Sequence, residues 1–204
     1  MQNYKHWIFD LDGTLTEPIH NFDQIRTTLD VPKGRLILEY IENLDDKKKT
    51  HFKQRLVALE MELAMQSKAA RGAKSLLNYL RSMGHDVAVL TRNTRANALL
   101  TLQNIELLSH FQSSLVIGRE DTSPKPSKDG IVHLVKKMGA ATSKTVIVGD
   151  HRIDLQTGRN SNISTIHICS NKNETWPSLT DYRFPSLITM LKALQNNMPQ
   201  EKRD

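Results

Sequence analysis

A chain of 204 residues has room for one full core, or for a core with one modest insertion, because single domains commonly run to ~150 residues. With 38% hydrophobic and 25% charged residues it has the make-up of an ordinary globular protein, and no apolar run is long enough to cross a bilayer. The net charge of +6 comes with no nucleic-acid motif and no interleaving of aromatic and basic residues, so no nucleic-acid partner is expected; at most it biases the protein toward small phosphorylated anions.

The sequence runs from MQNYKH straight into an apolar segment, so no secretory leader is expected. A single cysteine, Cys169, lies in the apolar run ISTIHIC and is expected as a buried structural thiol, in keeping with a reducing cytoplasm. Residues 4–10 read as a buried strand. From Phe22 to Leu63 the apolar residues recur at three-to-four spacing, interrupted at Pro32 and Gly34, which predicts an all-helical block of about three helices. Lys47 to Lys49, after Asp45 and Asp46, mark the start of a solvated helix.

From Gly72 the pattern alternates: helix 73–83, strand 86–91, helix 94–104, strand 115–117, helix 128–138, strand 145–149, helix 153–160 and strand 164–169. Gly84 and Gly139 stand where helix C-caps belong. The polar tail from Gln195 to Asp204 is expected to fray. The alternation predicts an α/β fold: a Rossmann-like open parallel sheet flanked by helices, built from 1–16 and 71–204, with residues 17–70 as a small helical cap inserted after the first strand.

In such a sheet ligands bind beyond the carboxyl ends of the strands. Four segments deliver polar groups there: WIFDLDGT with Asp10 and Asp12, VAVLT ending at Thr91, TSPKP carrying Lys125 between two prolines, and TVIVGD ending at Asp150, with Asp154 four residues on. Two carboxylates two apart, turned by Gly13, allow one to attack while the other carries a proton. Because carboxylate and phosphate are both anionic, the site needs cations, and Lys125 and Mg²⁺ would supply them. Asp10 and Asp150 offer the hard oxygens Mg²⁺ favours, with Asp154 in support. Taken singly, Asp150 and Thr91 could cap helices and Lys125 could be a surface lysine; their joint occurrence in order favours catalysis. No HExxH or paired-cysteine spacing supports zinc, and His6, His85, His133 and His167 read as surface or strand residues.

These four segments, in order, closely resemble the motifs of the haloacid dehalogenase superfamily of phosphohydrolases, over roughly three quarters of the chain. The resemblance implies Asp10 as a nucleophile forming an aspartyl-phosphate and Asp12 as the acid and base. It implies Thr91 and Lys125 as holders of the phosphoryl group, and Mg²⁺ on Asp10, the Asp12 backbone carbonyl and Asp150. The insertion resembles the small helical cap of the phosphoglycolate phosphatase and β-phosphoglucomutase branch. Arg92 after the threonine, and His151 and Arg152 in the fourth motif, depart from the usual residues and bear on substrate choice.

Arg92, Asn93 and His20 are further candidates for binding substrate, His20 because it lies at the cap entrance; Asn93 could equally start a helix. Lys33, Arg35 and Tyr40 read either as cap contacts or as a solvated face. The leading expectation is a Mg²⁺-dependent phosphatase, monomeric, acting on a small phosphorylated metabolite such as phosphoglycolate or a sugar phosphate. A phosphomutase, which would need a cap acid or base such as His20, is the alternative. A dehalogenase has no use for Asp12, and an idle phospholigand binder would not need both Asp10 and Lys125.

Overall fold

The computed structural model describes residues 1, 3–18, 22–171 and 173–196. His20 and the tail from 197 onward lie outside the described residues. Among these, β1 (His6–Phe9), β2 (Asp86–Leu90), β3 (Val116–Ile117), β4 (Thr145–Gly149), β5 (Ser164–Ile168) and β6 (Tyr182–Phe184) form one sheet in the order β3-β2-β1-β4-β5-β6. Every pairing is parallel. β1 sits in the middle, with Phe9 beside Val89 on one side and Val148 on the other.

Because side chains alternate along a strand, the sheet buries two faces at once. Trp7, Phe9, Val87, Val89, Val146 and Val148 point to one face, where α4 (Ala73–Ser82), α5 (Arg95–Asn104) and α8 (Leu187–Asn196) pack through Leu76, Leu80, Leu102 and Met190. Ile8, Ala88, Leu90 and Ile147 point to the other and meet Ile131 and Leu134 of α6 (Asp129–Met138). Gly158 of α7 (Arg152–Asn160) comes close to Ile147 and Thr165 on this second face. Each fully buried aliphatic or Phe side chain stabilises the fold by about 1.5–3 kcal/mol.

Between β1 and α4 stand α1 (Phe22–Thr28), α2 (Ile37–Glu42) and α3 (Asp46–Gln66), which bury Ile25, Leu29, Val31, Ile41 and Leu56 in a cluster of their own. The chain enters and leaves this block through two adjacent segments, where Glu17 N–H donates to the Lys68 carbonyl (2.9 Å) and Ala70 N–H to that of Leu15 (2.8 Å). Asp45 caps α3 by accepting from Lys48 N–H at 3.1 Å, so the lysine run does begin a helix.

Several expectations need correction. The sequence pattern predicts neither β6 nor α8: β6 has only three residues, and α8 takes in Gln195 and Asn196 of the polar stretch expected to fray. Tyr4 and Lys5 precede β1 rather than belonging to it. Cys169 falls just past β5 and is half-buried, with its thiol 3.6 Å from the Asn171 carbonyl, so it is not a core thiol.

Candidate active site

Asp10, Thr91 and Asp150 each directly follow a strand, at the carboxyl ends of β1, β2 and β4. β1 is also where the strand order reverses, so its end opens into the crevice where ligands of such sheets bind. Two glycines make the close approach feasible. Gly13 has φ +86°, and a Cβ there would collide with the Asp150 carboxylate. At Gly149 a Cβ would run into the Asp154 side chain.

The loop carrying Lys125 crosses the same edge, and Lys125 is 3% exposed rather than on the surface. Its Nζ donates to Asp10 Oδ1 at 2.5 Å and to Asp154 Oδ1 at 2.6 Å. Asp154 Oδ2 in turn accepts from His151 N–H at 3.1 Å, in a capping box whose cap residue is His151, not Asp150. Thr94, not Thr91, caps α5. Thr91 Oγ1 accepts from Asn93 N–H (3.1 Å), and the Asn93 side-chain amide donates to Asp12 Oδ2 (2.8 Å). Thr14 donates to Asp150 Oδ1 at 2.8 Å, and His167 Nε2–H donates to the Asp150 carbonyl at 3.1 Å. The sequence assigns no role to Thr14, and His167 reads there only as a surface or strand residue, which its place in β5 agrees with. The DGT string was the available hint for Thr14; nothing in the strand sequence marked His167.

Arg92 lines the cavity, and its guanidinium grips Glu39 of α2 at 2.8 and 2.9 Å. A second tie joins block and sheet: Glu60 of α3 accepts from Arg119 at 2.5 Å and from Asn97 at 3.2 Å. Both side chains of this pair are largely buried, and neither was visible as a partner in the sequence. Arg152 and Arg159 stay away from the site, Arg159 pairing with Asp181 at 2.9 Å. Lys33 and Arg35 are exposed outside the cavity, and Tyr40 packs edge-on against Phe52.

The acids outnumber the cations. Oxygens of Asp10, Asp150 and Asp154 lie within 4.8 Å of one another, and the ammonium of Lys125 sits among them. Two like charges at this spacing repel by on the order of 3 kcal/mol at an effective dielectric of about 20. Burial first, then the Asp154 charge, pushes the Asp10 carboxyl well above its ordinary range, and Lys125 only partly opposes this. Asp150 is pushed up by burial and by Asp10 and Asp154. Burial drives Asp12 up to about 7, with Lys125 opposing and Glu60 adding. Burial pulls the Lys125 ammonium down, but Asp10 and Asp154 overcome it and hold it charged. A hard divalent cation on these oxygens would relieve the repulsion, and the all-carboxylate donor set fits one.

Together the groups can supply an attacking carboxylate, a neighbouring acid near neutral pH and a fixed positive charge, at the bottom of a cavity of about 200 Å³ beneath the helical block.

The chain is 23% identical over 203 residues to an uncharacterized hydrolase of Saccharomyces cerevisiae, covering 96% of this chain and 93% of that protein. It is 24% identical over 199 residues to a phosphoglycolate phosphatase of Pseudomonas syringae, covering 83% and 71%. A hydrolase structure from Pseudomonas syringae superposes with a TM-score of 0.78 at 19% identity, over 96% of this chain and all of that one, which shows the shared fold. Residues 18–168 match the family description of haloacid dehalogenase-like hydrolases, a stretch that spans the helical block, β2 to β5, Lys125 and Asp150. With a match over most of its length and the same sheet, the chain belongs to the haloacid dehalogenase-like hydrolase family.

Proposed function

We propose that the protein is a Mg²⁺-dependent phosphatase for a small phosphorylated metabolite, working through an aspartyl-phosphate. The observation that carries this reading is the grouping of Asp10, Asp12 and Lys125 on the floor of one cavity, with Asp12 held near neutral pKa. Asp10 attacks phosphorus and the bond to the leaving oxygen breaks, while Asp12 delivers its proton to that oxygen. Asp12 then takes a proton from the water that opens the acyl phosphate, restoring Asp10. Thr91 and Lys125 hold the phosphoryl oxygens, and Asn93 aims Asp12.

Asp10, Asp150 and the Asp12 backbone would hold Mg²⁺, whose charge neutralises the phosphoryl oxygens. Asp154 serves mainly to fix Lys125, since both its oxygens are engaged. Residues 17–70 act in this reading as a cap over the site, and the enzyme works as a cytoplasmic monomer. Among the described residues, no helix is long and apolar enough to cross a membrane.

The test is phosphate release from a panel of small monoesters with Mg²⁺, with EDTA, and with Asp10→Asn. Release that needs the metal and vanishes in the variant supports the reading. Substantial activity in Asp10→Asn rules out the nucleophile, and absence of release from every ester points to phosphoryl transfer between hydroxyls, assayed by sugar-phosphate isomerisation.

A further inference from the structure

The cavity has two unlike ends. Its floor is polar: Asp10, Asp12, Thr91, Lys125 and Asp150. The opposite wall, contributed by the helical block, is built from Ile25, Leu36, Ile37, Leu38 and Leu56. Leu36 is 44% exposed and lies outside the block's own hydrophobic cluster. Ile37 and Leu38 are half-buried beside it. These side chains offer apolar surface to whatever enters the cavity.

Several of the polar groups nearby already have partners. Glu60 is held by Arg119 and Asn97, Arg92 by Glu39, and Arg26 donates through Nε to the Arg35 carbonyl at 3.0 Å. Asn93 is turned to Asp12. Among the described residues, the block lines the cavity with no Ser, Thr, Asn, Gln, His or Tyr side chain that could read a substrate hydroxyl. Against these apolar side chains a polyhydroxylated leaving group would lose water and gain no hydrogen bond from them, whereas a hydrocarbon group would gain burial.

We propose that the substrate is a phosphate monoester whose leaving group is compact, apolar and poor in hydroxyls, seated against Leu36, Ile37, Leu38 and Leu56. This rests on the phosphatase reading and narrows its substrate away from sugar phosphates. The cavity volume of about 200 Å³ is below that of typical drug-sized sites, so the group is small.

The test compares cyclohexylmethyl phosphate with glucose 6-phosphate, which share a six-membered ring, a primary leaving oxygen and similar size. Acetyl phosphate, whose leaving group carries a single methyl group, serves as control. The apolar ester should show kcat/KM at least about tenfold higher. Leu36→Asn and Leu38→Asn should cut that ratio to about threefold or less; Leu36 is exposed, so its variant should fold. If acetyl phosphate is hydrolysed but glucose 6-phosphate matches or exceeds the apolar ester, the inference fails and the phosphatase reading stands. A preference that survives both substitutions also overturns it. Failure to hydrolyse any of the three, acetyl phosphate included, removes the phosphatase reading and the inference with it.

Discussion

The Asn93 side-chain amide donates to Asp12 Oδ2 at 2.8 Å, tying the loop after β2 to the loop after β1. The contact keeps the carboxyl of Asp12 aimed into the cavity. In the proposed mechanism its removal affects proton transfer more than substrate capture. Asn93→Ala should therefore lower kcat by about tenfold or more with little change in KM, as expected when an interaction matters chiefly in the transition state. Steady-state kinetics on any accepted ester checks this, and a change confined to KM would place Asn93 in substrate binding instead.

Glu60 and Arg119 form a largely buried ion pair between α3 and the loop after β3. Removing one partner leaves a desolvated charge, so Glu60→Ala or Arg119→Met should each destabilise the protein by about 3 kcal/mol. The double variant should lose clearly less than the sum of the two. Urea unfolding of the four proteins measures the coupling; additive losses would mean that the two side chains act independently.

Metal-free protein should show a distinctive response to pH. Asp12, with a pKa of about 7 when folded and an ordinary value of 3.8, binds its proton more tightly in the native state. Its contribution is fully present below pH 3.8 and is lost as pH rises toward 7. Asp10 and Asp150 are shifted the same way. His151 and His167 are shifted down by desolvation, so they oppose this trend by weakening the fold as pH falls through 6.5 and below. A bound Mg²⁺ cancels the carboxylate part alone. The Tm gain from saturating Mg²⁺ should then be larger at pH 7.5 than at pH 5, and a gain independent of pH would count against these acids as the ligands.

Much of this was legible in the sequence because strand ends announce themselves. An apolar run that stops on Asp10, Thr91 or Asp150 carries both the strand and the position of the polar group, and the alternation with helices fixes which edge they share. β6 escaped notice because a three-residue edge strand with alternating exposure has no periodic signature. Glu60 and Arg119 escaped because they are 59 residues apart and each reads, alone, as an ordinary charge on a solvated face. The alignment of Arg92 with Glu39 belongs to the same class: it depends on how the block sits over the sheet, which no local pattern encodes.

The placement of β1 has a consequence for how the protein is made. β1 comes before the other strands of its sheet in chain order yet lies inside it, so Phe9 cannot complete its pairing until Val148 emerges, 139 residues later. At about 5–20 residues per second that is a wait of roughly 7–28 s. During this interval Trp7, Ile8 and Phe9, all fully enclosed in the finished protein, have no sheet on their second edge. The nascent chain thus carries an apolar strand with one edge unpaired throughout that interval.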